Sequence, residues 1–181
     1  MYTKDDVARH PTLRLLTGNA LNRLGEVEIA ALQPIRAEQG ENLSRFLLRP
    51  GDVALLARGS AMRSGAITEE VAKKQVVAST NFLILRPDPE RLLGEVLVFY
   101  LNSPAGQALL DTISTGAALK SAPASKVKKL AISVPDIETQ KNMADLFRAS
   151  NQAFNAGTQF LEAQQKLVQT QLLNMLKGAE S

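Results

Sequence analysis

Between Thr112 and Pro135 the chain carries four lysines, Lys120, Lys126, Lys128 and Lys129, and no aspartate or glutamate. Three of them fall within four residues, beside Ser125, and they follow a loop of small residues around Gly116. Small residues let backbone N–H groups approach an anion closely, and clustered ammonium groups neutralise phosphates, so the chemistry suggested is the binding of a polyanion. A second basic set lies earlier in the chain. Arg58, Gly59 and Ser60 follow an apolar run, and Arg63, Lys73 and Lys74 come after them. An arginine fork beside bare backbone can meet a phosphate or a base edge. The plainer alternative for each set is solvated loop charge, which is the common state of surface lysines. Two clusters far apart in sequence could also flank one duplex, holding phosphates while residues between them read bases.

Other chemistries fare worse. There is no cysteine and a single histidine, His10, so disulfides and thiolate metal sites are excluded and no zinc site is expected. No phosphate loop of Walker type, nucleophile elbow or metalloprotease helix motif occurs. Asp52, Glu69, Glu70 and Asp111 are free carboxylates by type, yet no spacing forces two of them together. We therefore expect no enzyme, no cofactor and no metal. The chain has no tryptophan, and most of its Phe and Tyr lie in apolar runs away from the basic residues, which argues against a stacking surface for single strands. Net charge is only +3, but residues 1–135 hold 17 basic and 13 acidic side chains while residues 136–181 hold 4 and 5. The basic excess belongs to the front of the chain. No long apolar run or signal-peptide pattern is present, so a cytoplasmic protein that does not enter a membrane is expected.

The elements that must position these residues follow from periodicity. A chain of 181 residues suffices for one domain with a core and one appendage. The first ten residues are polar, and loose order is expected there. Residues 13–16 and 27–35 predict short strands separated by the turn formers Gly18, Asn19, Asn22 and Gly25. Residues 36–43 form a polar excursion. Pro50-Gly51-Asp52 predicts a turn into a continuously apolar strand over 53–57, buried on both faces. Residues 58–74 predict a long polar connection, and residues 75–86 a single strand in which Ser79, Thr80 and Asn81 are a polar interruption. That interruption suits hydrogen bonds to a neighbouring bulge at least as well as contact with DNA. Asp88 and Pro89 predict the cap and first residue of a helix over 90–102, and Ser103 and Pro104 those of a helix over 104–114. The lysine-bearing segment predicts a short helix and then a strand ending at Pro135. Strands with helices inserted late argue for an α+β fold built on a curved mixed sheet.

Composition changes after Pro135. Asp136 is a suitable N-cap, and no proline occurs from Ile137 to Lys177. Phe147, Phe154, Leu161, Val168 and Met175 recur every seven residues. The interleaved positions Ile137, Ala144, Asn151, Thr158, Gln165 and Leu172 are mostly small or polar. This heptad stripe predicts one long coiled-coil-forming helix whose seam needs another chain. About 40 helical residues would extend on the order of 60 Å.

Four segments taken in order, LRPGDVALLARGS, VVASTNFLILRPD, YLNSPAGQ with the basic loop and short helix after it, and PDIETQKNMADLF, resemble a target-recognition domain and conserved helix of type I restriction–modification specificity subunits. The resemblance covers roughly residues 13–176 and rests on the order of the segments more than on any one of them. It implies sequence-specific recognition of double-stranded DNA by residues 1–135 and a helix over 136–181 that dimerises or docks a methyltransferase (modification) subunit. The restriction and methylation chemistry would belong to partner subunits. Arg58, Ser60, Arg63, Lys73, Lys74, Lys120, Ser125, Lys126, Lys128 and Lys129 are then the expected DNA-facing residues. Phe147, Phe154, Leu161, Val168, Leu172 and Met175 are the expected partner-facing ones. Two departures stand out. The usual subunit has two recognition domains and two helices where this chain has one of each, which implies a half-subunit that forms a homodimer. The strand and loop that usually precede the segment resembling residues 12–20 are missing or shortened, which puts the strength of DNA binding in question.

Overall fold

A computed structural model of the protein describes residues 13–35, 46–116 and 119–178. It is an α+β structure of small open sheets, short helices and one long C-terminal helix. The chain divides into two compact units, residues 1–144 and 145–181.

In the first unit the strands are β1 (Leu13–Leu16), β2 (Gln33–Ile35), β3 (Val53–Leu56), β4 (Arg58–Gly59), β5 (Arg63–Ala66), β6 (Val76–Ala78), β7 (Phe82–Leu85) and β8 (Lys120–Ser121). The helices are α1 (Glu69–Ala72), α2 (Gly94–Asn102), α3 (Pro104–Ile113), α4 (Ala124–Val127) and the start of α5 (Ile137–Gly178). Among the described residues the strands form two three-stranded sheets and a two-stranded ribbon. The first sheet has order β2-β1-β6, with β1 antiparallel to β2 and parallel to β6. The second, β5-β3-β7, is antiparallel throughout. β3 is its central strand and every one of its residues is buried, as the unbroken run VALL requires. Leu16 and Val76 from the first sheet meet Leu56 and Phe82 from the second in a shared core, joined by Ile67 and Val71.

Several expectations are corrected. In residues 27–35 only β2 is a strand, because residues 29–31 close a 3-10 turn, with the N–H of Ala31 donating to Glu28 O at 3.0 Å. Two adjacent alanines there offer little side chain to pack on a sheet. The connection over 58–74 holds β4, β5 and α1. Its strand is hidden by Ser64 and Gly65, yet Gly65 is buried, and a Cβ at that position would lie 2.1 Å from Leu21 Cδ1, so any side chain would have to displace the buried Leu21. The segment 75–86 is two strands in two different sheets, with residues 79–81 forming the corner between them.

The helix expected from Glu90 begins at Gly94. Asp88 caps only the turn before it, accepting the N–H of Glu90 at 3.1 Å on Oδ1. The N–H of Leu93 is taken by Oε1 of Gln140 at 2.9 Å, not by a helical carbonyl, and this fixes the later start. Ser103 does cap α3, its Oγ accepting from the N–H of Gly106 at 3.2 Å. Residues 130–135 carry no regular secondary structure and pair with no strand among the described residues. The loose N-terminus and the polar excursion over 36–43 lie outside the described residues.

In the second unit the chain is one helix to Gly178. Phe147 is half-buried, whereas Phe154, Leu161, Val168, Leu172 and Met175 are exposed. So are Phe160, Leu167, Leu173 and Leu176, which widens the apolar surface beyond the narrow stripe expected. Among the described residues no helix is long and apolar enough to cross a membrane.

Candidate nucleic-acid interface

The ribbon β4–β8 joins the two basic segments. Arg58 lies opposite Ser121 and Gly59 opposite Lys120 in antiparallel register. One more bond extends the pairing, from the N–H of Ala122 to Ala57 O at 2.9 Å. Arg58 therefore leaves the buried end of β3 beside the strand that leads into α4. Directly opposed residues of a sheet stand about 5 Å apart and successive residues point to opposite faces, so Arg58 shares a face with Ser121 while Lys120 stands opposite Gly59 on the other. Arg58, Ser60, Ser125, Lys126, Lys128 and Lys129 are exposed, while Val127 is buried and anchors α4 beneath its lysines. Arg58, Lys126, Lys128 and Lys129 form no ion pair with any described residue. Lys120 is half-buried and bridges to Asp111 on α3, which offsets one charge of the set.

The loop entering β8 is shaped by backbone. Thr115 and Ser121 exchange hydrogen bonds, N–H of Thr115 to Ser121 O at 3.0 Å and N–H of Ser121 to Thr115 O at 2.9 Å. Gly116 has φ +90°, and a Cβ there would lie 2.3 Å from Leu119 O. A residue with a side chain would be strained and would push the loop open.

The other expected basic residues go elsewhere. Arg63 is half-buried at the start of β5, and its Nη2 donates to Gly18 O at 2.9 Å. Its Nε and the Oγ1 of Thr17 are buried without a hydrogen-bond partner among the described residues. Part of this guanidinium thus serves the fold. Lys73 and Lys74 do not join Arg58. The N–H of Ile67 donates to Asp52 O at 2.8 Å and that of Gly51 to Ile67 O at 2.9 Å, which places the approach to α1 at the first end of β3. Arg58 follows the last end. Lys73 instead faces Glu69 at 3.9 Å, both side chains being largely in water, where such a pair contributes little.

Sequence reasoning weighed residues 79–81 as a bulge or a DNA contact and left them out of the expected DNA-facing set; they form the corner between β6 and β7. The N–H groups of Ala57 and Arg58 both donate to Asn81 O, at 2.9 and 3.2 Å. Thr80 and Asn81 are exposed. The signal was present as three polar residues inside an apolar run, but it fitted a bulge equally well.

Among the described residues no group of three or more His, Cys, Asp or Glu could hold a metal ion. The one buried carboxylate described, Asp52, is satisfied by Arg86, whose Nε and Nη2 donate to it at 2.6 and 2.8 Å, and by the N–H of Arg49 at 2.8 Å. Hydrogen bonding to Asp52 raises the Arg86 pKa above its ordinary value, so the guanidinium stays charged and the contact serves as a structural clamp. No protein-family model matches the chain, and neither does any curated protein.

Proposed function

We propose that the first unit binds double-stranded DNA and that the chain is a non-catalytic recognition module of the kind its sequence resembles, a type I restriction–modification specificity half-subunit. The observation that carries this reading is the β4–β8 pairing. It brings the backbone of Arg58 beside the segment that leads into Ser125, Lys126, Lys128 and Lys129, about 60 positions away in sequence, which supports a common basic region. The exposed Lys126, Lys128, Lys129 and Arg58, none ion-paired with any described residue, suit phosphate contacts beside a small-residue loop. The exposed apolar helix would then assemble the module, through a coiled coil with a second copy and by docking a methyltransferase subunit. Its place of action would be the cytoplasm, where the DNA lies.

A second reading, a protein-interaction module whose basic loops are inert, draws on the large apolar side chains left exposed from Phe154 to Leu176. Salt separates the two. Phosphate binding weakens linearly on a log–log plot against salt, by about 0.9 per phosphate contacted, whereas an apolar seam responds far less. Replacing Lys120, Lys126, Lys128 and Lys129 with Ala should leave the domain folded, reduce duplex affinity and lower that slope by up to about 3.6. An unchanged slope would remove this cluster from the DNA surface.

A further inference from the structure

We infer that the corner between β6 and β7 is the base-reading element of this surface, with Asn81 recognising adenine in the major groove and Thr80 contacting a neighbouring base. The inference rests on the duplex-binding reading and goes beyond it, because cations that hold phosphates carry no sequence information.

The corner is fixed at both ends by backbone alone. The N–H of Ser79 donates to Leu16 O at 3.0 Å, and the N–H of Phe82 closes the turn on Ser79 O at 3.1 Å. The carbonyl of Asn81 receives the two N–H groups of Ala57 and Arg58. Phe82 behind it is buried in the core shared by both sheets. Between these anchors Thr80 and Asn81 are exposed, and neither side chain makes a hydrogen bond to any described residue. Their backbone is held while their donors and acceptors stay free. That is what readout requires, since a short side chain on a rigid turn loses little entropy on binding.

Position and chemistry agree. Asn81 is tied by its own carbonyl to Arg58, the residue through which the cationic ribbon leaves β3. A base edge reached by Asn81 would thus lie next to phosphates held by Arg58 and the α4 lysines. An asparagine amide offers one donor and one acceptor side by side, the complement of adenine N7 and N6–H₂. Thr80 offers a hydroxyl and a methyl group, which suit a base edge or a thymine methyl.

The test uses the full chain and a library of duplexes with randomised sequence, from which bound molecules are selected and sequenced, alongside affinity for one bulk duplex at two salt concentrations. The wild type should enrich an adenine at a fixed position. Asn81→Ala should lose that preference, with affinity for the selected duplex falling about 5- to 150-fold while bulk affinity and salt slope stay the same. Thr80→Val, which removes only the hydroxyl, should relax preference at an adjacent position and keeps the test open if Asn81→Ala does not fold. Two outcomes would overturn the inference and leave the duplex-binding reading intact. One is salt-dependent binding by the wild type with no base preference; the other is a preference unaltered in both variants. Absence of salt-dependent duplex binding by the wild type would overturn both.

Discussion

Gln140 supplies, from its side chain, the hydrogen bond that the backbone of Leu93 would otherwise lack. Its Oε1 accepts from the N–H of Leu93 at 2.9 Å, and its Nε2 donates to Arg91 O and Pro135 O, each at 2.9 Å. Gln140 is 1% exposed, so these groups have no water to fall back on. One side chain on the first turns of α5 therefore fixes where α2 begins. Gln140→Leu keeps the volume but strands a buried donor and two carbonyls. It should destabilise the domain by about 1–3 kcal/mol, read as a lower denaturation midpoint at unchanged slope. A midpoint equal to wild type would show that the amide is dispensable.

The Asp52–Arg86 clamp predicts an asymmetric cost. Asp52 is 1% exposed and Arg86 46%, so the carboxylate depends on the arginine more than the reverse. Arg86→Met leaves the Asp52 carboxylate with the Arg49 N–H alone, and a loss of about 1–3 kcal/mol is expected. The raised pKa of Arg86 means that its contribution is fully present below the ordinary arginine range and is lost only as pH climbs beyond it. Unfolding curves of wild type and Arg86→Met should therefore differ by a constant amount between pH 6 and about pH 9. A gap that closes within that window would refute the pairing.

Asp136 predicts a change in acid. Its Oδ1 accepts the N–H of Thr139 at 2.9 Å and its Oδ2 the hydroxyl of the same residue at 2.8 Å, and these bonds lower its pKa. A lowered folded-state value makes the cap stabilising above the unfolded carboxylate pKa of about 4, and the gain disappears as pH falls through the folded value. Asp136→Ala should lose helical signal at neutral pH and show a smaller further loss on acidification than wild type does. Superimposable acid titrations would show that the cap contributes nothing.

The expectations that held were set by strong local signals. VALL had no polar residue to expose, so it became the central strand β3, and Ser103 with Pro104 marked the start of α3. Failures arose where a tertiary partner overrode the local pattern. Residues 130–135 alternate like a strand but meet no neighbouring strand among the described residues, and Gly65 reads as a loop residue until Leu21 is placed against it. The candidate site was legible residue by residue but not as a surface. Nothing in the spacing of Arg58 and Lys120 announces that a two-residue ribbon brings them together, or that Lys73 and Lys74 sit at the other end of β3.

Gly116 offers a way to disturb that surface without touching a charge. With φ +90° and no space for a Cβ beside Leu119 O, Gly116→Ala should strain the loop by about 1–3 kcal/mol. If the loop holds β8 and α4 in place for phosphates, duplex affinity should fall while net charge and the core remain as they were. Unaltered affinity at two salt concentrations would mean that the loop geometry does not serve binding.

The long helix predicts self-association. Phe154, Leu161, Val168 and Met175 share a heptad register and are exposed, with Leu172 exposed beside them. Burying one such side chain contributes roughly 1.5–3 kcal/mol, so five of them can exceed the several kcal/mol lost in bringing two chains together. Thr158 and Gln165 at the interleaved positions would weaken the pairing while fixing its alignment. An antiparallel pair would relate the two first units by a twofold axis, as a symmetric split DNA site demands. Sedimentation should give a dimer, and Phe154→Asp combined with Leu161→Asp should give a folded monomer with unaltered thermal unfolding of the first unit. A wild-type chain that stays monomeric at high micromolar concentration would refute the half-subunit arrangement and leave the helix to a different partner.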